Sequence, residues 1–204
     1  IVVACNTASA AALHHLRKIF PDVPFVGMEP AVKPAAETTH TGVVGVLATP
    51  ATFQGALYAS VVERFASGVT LLQDTCPGLV QQIERGELDS PATRAILEKA
   101  LRPMLERGID TVVLGCTHYP FVIPLIEEIV GPEVRVIDPA PAVARQARRL
   151  LNDSGAQDSG QGRGAVEFFT SGPAEHLSLL LPSFLGETGL VRTVRWQDGK
   201  LVLD

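Results

Sequence analysis

The chain has 204 residues, a formal charge of −5, 46% hydrophobic residues, 19% charged residues and 5% aromatics. This length can bury one large core or two small ones, and an acidic balance with no basic stripe excludes nucleic acid as a primary partner. No run reaches the ~18 apolar residues of a membrane helix, and cysteines without regular spacing make no disulfide framework, which points away from the membrane and towards a reducing compartment.

The chain opens inside an apolar run, Ile1-Val2-Val3-Ala4, that ends at Cys5-Asn6-Thr7. It has no basic segment before it, so a signal peptide is not expected; upstream sequence is expected to be missing instead. An Ala/Leu-rich helix follows over 8–20 and is closed by Pro21. Phe25-Val26-Gly27-Met28 reads as a short strand, and Glu29-Pro30 begins a helix to about Thr38. Gly42 to Ala48 is a buried strand ending in Thr49-Pro50-Ala51-Thr52, and one helix is expected over 51–65.

A strand over 69–73 leads to Asp74-Thr75-Cys76-Pro77, and helical segments follow over 79–86 and 90–107, the second with a Ser-Pro start and a Gly108 stop. Thr111 to Leu114 is a strand running into Gly115-Cys116-Thr117-His118-Tyr119-Pro120. A helix over 121–130, a strand over 134–137 and a helix over 138–152 come next. The Gly/Ser/Gln-rich stretch 153–164 reads as a flexible loop. A strand over 166–172, a helix over 174–185 and a strand pair over 191–203, turning at Asp198-Gly199, complete the chain.

Strands alternating with helices indicate an α/β protein with parallel sheets. The same unit, an apolar strand ending in Cys and then a helix, occurs twice, so each sulfur is expected at a strand's C-terminal tip, where open α/β sheets bind ligands. Backbone N–H groups there favour a thiolate. If Cys5 and Cys116 face one cleft from opposite sides, one is a base and the other an acid. Together they can remove a proton from one face of a carbon acid and return one to the other face, inverting a stereocentre without a cofactor. His118 could hold or relay the Cys116 proton, and Asn6, Thr7, Thr49, Thr52 and Thr117 are short polar groups suited to an amino acid's carboxylate and ammonium. Cys76, followed by proline, reads as structural, and His14, His15, His40 and His176 as solvated or capping.

Val3-Ala4-Cys5-Asn6-Thr7-Ala8-Ser9 and Leu114-Gly115-Cys116-Thr117-His118-Tyr119-Pro120 closely resemble the two cysteine motifs of the cofactor-independent glutamate racemases, in the aspartate/glutamate racemase superfamily. The stretches 45–52, 76–86, 138–140 and 168–172 extend the resemblance over nearly the whole chain. It implies interconversion of L- and D-glutamate by two-base proton transfer, supplying D-glutamate for peptidoglycan, in the cytoplasm, without cofactor or metal, with glutamate as the small-molecule partner and a homodimer as the assembly. Carried over by position, Cys5 and Cys116 are the acid/bases and His118 assists Cys116. Asn6, Thr7, Thr49, Thr52, Thr117 and His118 bind substrate, and Glu84 matches a carboxylate with an auxiliary role. The implied fold is two pseudo-symmetric three-layer α/β domains, with mainly parallel sheets and the active site in the cleft between them. Residues 1–28 with 138–204 would form the first, lacking its N-terminal strands, and 29–137 the second. The family's Asp-Ser-Gly strand end and Pro-Tyr-Gly loop have no match in the sequence, from which an inactive or poorly folded isolated chain is expected.

Four other readings stay open. A zinc site from Cys5, Cys76, Cys116 and His118 lacks the usual closely paired ligands. Cys–His nucleophilic catalysis uses one cysteine motif and leaves the other idle. An aspartate or hydantoin racemase shares fold and mechanism with a different substrate, and a non-catalytic module would keep only part of the cleft. A pyridoxal enzyme is disfavoured, since Lys18, Lys33, Lys99 and Lys200 fall in no suitable motif.

Overall fold

A computed structural model describes residues 1–156 and 164–203. They form two compact units, Ile1–Gln157 and Asp158–Asp204.

The first unit is built on a parallel sheet of four strands in the order β2-β1-β3-β4. These are β1 (Val43–Ala48), β2 (Thr70–Asp74), β3 (Thr111–Gly115) and β4 (Arg135–Ile137). β1 and β3 are the central pair, which is why their Val/Leu-rich runs show no polar alternation: both faces are covered. On one face Val44, Val46 and Val113 pack with Val32 and Ala35 of α2 (Val32–Thr38) and with Tyr58 and Val61 of α4 (Ala56–Phe65). On the other face α6 (Pro91–Glu106) lies so close that a Cβ at Gly45 would come within 2.9 Å of the Met104 sulfur. Each fully buried Val or Leu of this kind contributes roughly 1.5–3 kcal/mol, so the central pair is the stable heart of the unit.

Several expected elements are present with shifted ends. α1 (Asn6–Ile19) starts two residues early, α2 starts at Val32, and α5 (Leu79–Glu84) follows Gly78, whose φ of 90° supplies a left-handed entry. Ser90 caps α6 by accepting a hydrogen bond from the Thr93 N–H at 3.2 Å. After β3 the chain makes a 3₁₀ turn, Tyr119–Val122, before α7 (Ile123–Val130), and α8 (Ala140–Asp153) follows β4.

Two expectations are corrected. The single helix over 51–65 is two, α3 (Pro50–Phe53) and α4, because Gly55 takes an extended backbone (φ −74°, ψ 137°) and caps α4 through its carbonyl. The strands at 1–4 and 25–28 reduce to one isolated parallel bridge, Val2 to Val26. Ile1 and Val2 remain 67% and 47% exposed; a parallel strand is stable only when neighbours and helices cover it, and among the described residues each of these two segments pairs as a strand only with the other.

Of the stretch 153–164, Asp153 closes α8 and residues 157–163 lie outside the described residues. The second unit holds β5 (Phe168–Thr170), α9 (Ala174–Leu185), β6 (Val191–Gln197) and β7 (Lys200–Leu203). β5 pairs parallel with β6, and β6 pairs antiparallel with β7. The hairpin turn is the expected Asp198-Gly199, with φ of 50° and 74°, the doubly positive geometry that Asp-Gly favours and that matches strand twist. Leu181, Val191 and Val194 are its buried apolar residues.

Candidate active site

Both cysteine motifs lie in the first unit. Cys5 is the N-cap of α1, extended at φ −158° and ψ 126°, and its sulfur accepts the Ala8 N–H at 3.4 Å. Small residues after it let the helix begin at once, which puts Asn6 and Thr7 in the first turn. Asn6 is 2% exposed, and neither its amide oxygen nor its amide nitrogen has a partner. Leaving such a group unpaired costs about 1–3 kcal/mol, so an orphaned buried carboxamide marks a place where a polar ligand or further donor belongs.

Thr7 joins this first turn to the end of β1. Its hydroxyl lies 3.0 Å from that of Thr49 and 3.1 Å from that of Thr52, and the latter two are 3.1 Å apart. Three hydroxyls in a closed triangle have three protons and six lone pairs, so the group can turn either a donor or an acceptor outwards. Register then connects β1 to the second cysteine: Ala48 pairs with Gly115, so Thr49 and Cys116 leave the sheet side by side. A Cβ on Gly115 would come within 2.7 Å of the Ala48 Cβ and 3.1 Å of the Leu47 carbonyl. Only glycine permits that approach. Thr7, 42 positions before Thr49 but bonded to it at the β1 tip, thereby brings the Cys5 turn towards the Cys116 strand end.

Cys116 is buried, and its sulfur lies 3.8 Å from His118 Nδ1. The other ring nitrogen, Nε2, is 3.0 Å from Glu84 Oε1 at the end of α5. A carboxylate accepting Nε2–H leaves Nδ1 free to take or return the thiol proton, the arrangement by which a carboxylate orients an imidazole. Burial pushes the Cys116 thiol above its usual range; the backbone N–H groups of His118 and Tyr119 pull it down, while negative charge on Cys5 and on Glu84 pushes it up. The expected thiolate preference at a strand tip is thus reversed at Cys116, because desolvation outweighs two N–H groups.

Thr117 and Cys116 line a cavity of about 390 Å³ whose wall includes Ala4, Met28, Pro120 and Asp138. A larger cavity, about 630 Å³, runs past Arg17, Phe25, Lys33 and Ile137 and includes no residue of either cysteine motif, so its size does not make it the reactive site. Among the described residues no three His, Cys, Asp or Glu side chains converge as a metal-ligand set.

Two features escape any reading of local spacing. The Glu84–His118 pair joins residues 34 positions apart. Asp110, at the opposite end of β3 from Cys116, is held by the hydroxyls of Thr39 and Thr111 and the backbone N–H groups of His40 and Thr41. Its only sequence signal is an acid just before an apolar strand, which many surface positions share.

The Asp/Glu/Hydantoin racemase pattern matches residues 1–147. The chain belongs to that family. Among its relatives, the glutamate racemase of Pseudomonas syringae pv. tomato is 49% identical over 195 residues, covering 96% of this chain and 70% of that protein. The glutamate racemase of Roseiflexus is 50% identical over 182 residues, covering 89% and 67%. Solved structures agree: a glutamate racemase isoform from Bacillus anthracis superposes with a TM-score of 0.80 at 29% identity, over 95% of this chain and 73% of that one. Escherichia coli glutamate racemase, solved with L-glutamate and the activator UDP-MurNAc-ala, gives a TM-score of 0.73 at 34% identity, over 88% and 68%. The mixed α/β fold with a mainly parallel sheet is therefore the racemase fold, and no described helix is long and apolar enough to cross a membrane.

Proposed function

We infer that this chain is a cofactor-independent glutamate racemase, interconverting L- and D-glutamate by two-base proton transfer between Cys5 and Cys116 and so supplying D-glutamate for peptidoglycan. The observation that carries the mechanism is the convergence of the two cysteine motifs through the Thr7–Thr49–Thr52 triangle and the Ala48–Gly115 register. In the forward direction one cysteine, as thiolate, takes the α-proton while the other, as thiol, delivers its proton to the opposite face of the planar intermediate; the reverse direction exchanges the roles. Cys116 is suited to rest as the acid, since burial favours its protonated form. His118 passes or holds the Cys116 proton, with Glu84 fixing its ring. Asn6, Thr7, Thr49, Thr52 and Thr117 bind the amino acid, the unpaired carboxamide of Asn6 and the hydroxyl triangle being the supporting features.

We read residues 29–137 as one α/β domain, supported by its holding all four strands of the parallel sheet, and 1–28 with 138–204 as the other, with the site in the cleft between these parts. Three free cysteines support a cytoplasmic location, and a homodimer, expected from the resemblance, is testable by sedimentation. The function is tested by deuterium wash-in at the α-carbon of each glutamate enantiomer in heavy water. Wild-type protein is expected to racemise both, and Cys5→Ala or Cys116→Ala to lose at least about a thousandfold in racemisation, one correctly placed acid/base being worth 10²–10⁴. Full turnover with either cysteine gone removes the two-base assignment. Activity on aspartate or a hydantoin with none on glutamate moves the substrate elsewhere within the family.

A further inference from the structure

The second unit carries a strand with one open side. Its sheet runs β5-β6-β7, so among the described residues β7 bonds as a strand only to β6. Leu201 and Leu203 of β7 are 53% and 52% exposed, and Trp196, which pairs with Leu201 across the hairpin, is 72% exposed. These three share one face, because paired residues lie on the same side of a sheet and Leu203 is two positions beyond Leu201. Edge strands are ordinarily blunted by a proline, a bulge or an inward charge. The run Leu201-Val202-Leu203 has none of these, and its register with β6 is unbroken.

The hairpin decides which backbone groups face outwards. Gln197 and Lys200 close the two-residue turn Asp198-Gly199 as a hydrogen-bonded pair, and bonded pairs alternate with non-bonded ones along an antiparallel ladder. Lys200 and Val202 therefore direct their N–H and C=O groups to β6, and Leu201 and Leu203 direct theirs to the open side. We propose that this edge pairs with the same edge of a second copy of the chain, antiparallel about a two-fold axis through Val202. In that register Leu201 meets the copy's Leu203 and Leu203 the copy's Leu201, each pair exchanging both backbone bonds. On the shared face the apolar row Trp196-Leu201 continues into the copy's Leu203 and Val194. Lys200 falls opposite the copy's Asp204, which follows Leu203 in the sequence and lies outside the described residues, so opposite charges meet at each end of the pairing. A two-residue slip towards the turn sets Leu203 against Gly199 and Lys200 against Val202, losing both matches. Each copy uses its β7 edge once, so the assembly closes at two. No residue of either cysteine motif takes part; the surface goes beyond the racemase reading and gives the expected homodimer a face.

The test is sedimentation velocity of the whole chain from ~2 to ~200 μM. So short a pairing sits at the small end of specific interfaces, and a monomer–dimer midpoint near ~10 μM is expected. Lys200→Glu, at an exposed position, is expected to raise that midpoint about tenfold by setting like charges opposite each other at both ends. Adding Asp204→Lys to it restores opposite charges and is expected to bring the midpoint back within about threefold of wild type. Leu203→Pro removes an N–H that faces the open side and leaves the β6–β7 ladder whole, so it is expected to stay monomeric throughout. A wild-type chain that remains monomeric at ~200 μM overturns the proposal. So does a dimer that Lys200→Glu leaves unchanged, a charge swap that fails to restore pairing, or growth into larger polymers. Lys200→Glu and the charge swap carry the comparison should Leu203→Pro not fold. Racemisation measured on the same samples separates the two readings: a dimer without racemisation removes the enzyme assignment and leaves the surface, and racemisation without a dimer removes the surface alone.

Discussion

Cys5 and Cys116 end nearly equivalent stretches of sequence, yet their supports differ. Cys116 leaves the central strand of a four-stranded sheet whose residues Thr111 to Gly115 are all buried. Cys5 follows a segment attached by one parallel bridge, with Val2 half-exposed, and depends on a few polar ties. Chief among them is Ser9, whose hydroxyl donates to the Val3 carbonyl at 3.1 Å and accepts the Met28 N–H at 2.9 Å. Equal local motifs therefore hold their sulfurs by unequal means: packing for one, a hydrogen-bonded clasp for the other. What a site residue can do chemically follows from its neighbours in sequence; how rigidly it does so follows from what lies across the fold.

Substitutions on the two sides sharpen this contrast. The largest effect is expected at Gly115→Ala, whose Cβ would overlap Ala48 at 2.7 Å with backbone close behind. Forced separation of β1 and β3 is expected to cost about 3 kcal/mol, the upper range for overpacking, read as a lower urea midpoint; wild-type stability would show that the sheet yields more readily than its packing implies. On the other side Ser9→Ala leaves the buried Met28 N–H unpaired and takes one of two donors from the Val3 carbonyl, which keeps the Cys5 N–H. A loss of about 2 kcal/mol is expected, concentrated as faster amide exchange over residues 1–9 and 25–28 with β1 and β3 unaffected. Uniform acceleration across the unit would mean that the two sides unfold as one.

Glu84→Gln keeps the shape but removes the charge that orients His118. Racemisation is expected to drop about tenfold, with little change in melting temperature, since this pair is partly exposed and such contacts contribute little to stability. A stability loss without a rate loss would make Glu84 a structural partner only. The smallest effect concerns the foot of β3. Burial opposes ionisation of Asp110, but the four hydrogen bonds from Thr39, Thr41, His40 and Thr111 outweigh it and hold the carboxyl at about 2. A carboxyl whose folded value lies below its unfolded one stabilises the fold above pH ~4, and that share disappears as pH falls through ~4 towards ~2. Because the group is only part-buried, its share is about 1 kcal/mol after screening. Asp110→Asn is expected to flatten the stability curve in that window; an unchanged acid limb would show that other carboxylates carry it.

Much of the fold was legible because it rests on local pattern. The buried strands at 43–48 and 111–115, the Ser90 cap and the Asp198-Gly199 turn each follow from residue type and spacing. The break at Gly55 was not legible, since its φ of −74° suits any residue and no local rule forbids helix there. Nor was the weakness of the 1–4 strand, whose apolar run is as good as that of β3. A strand's stability lies in its neighbours, and sequence cannot count them.

The site divides along the same line. Residue order alone proposed which groups could react: two cysteines ending apolar runs, each with a threonine within two positions, and His118 two positions beyond Cys116. Tertiary structure decided how they are tuned. It brought Thr7 to Thr49 and Thr52, set Glu84 against His118, and buried Cys116 so that its thiol holds its proton where the strand-end position alone argued for a thiolate. The physical reason is range: helix starts and strand tips are settled within a few residues, whereas desolvation and charge act through space, between groups that the chain keeps far apart.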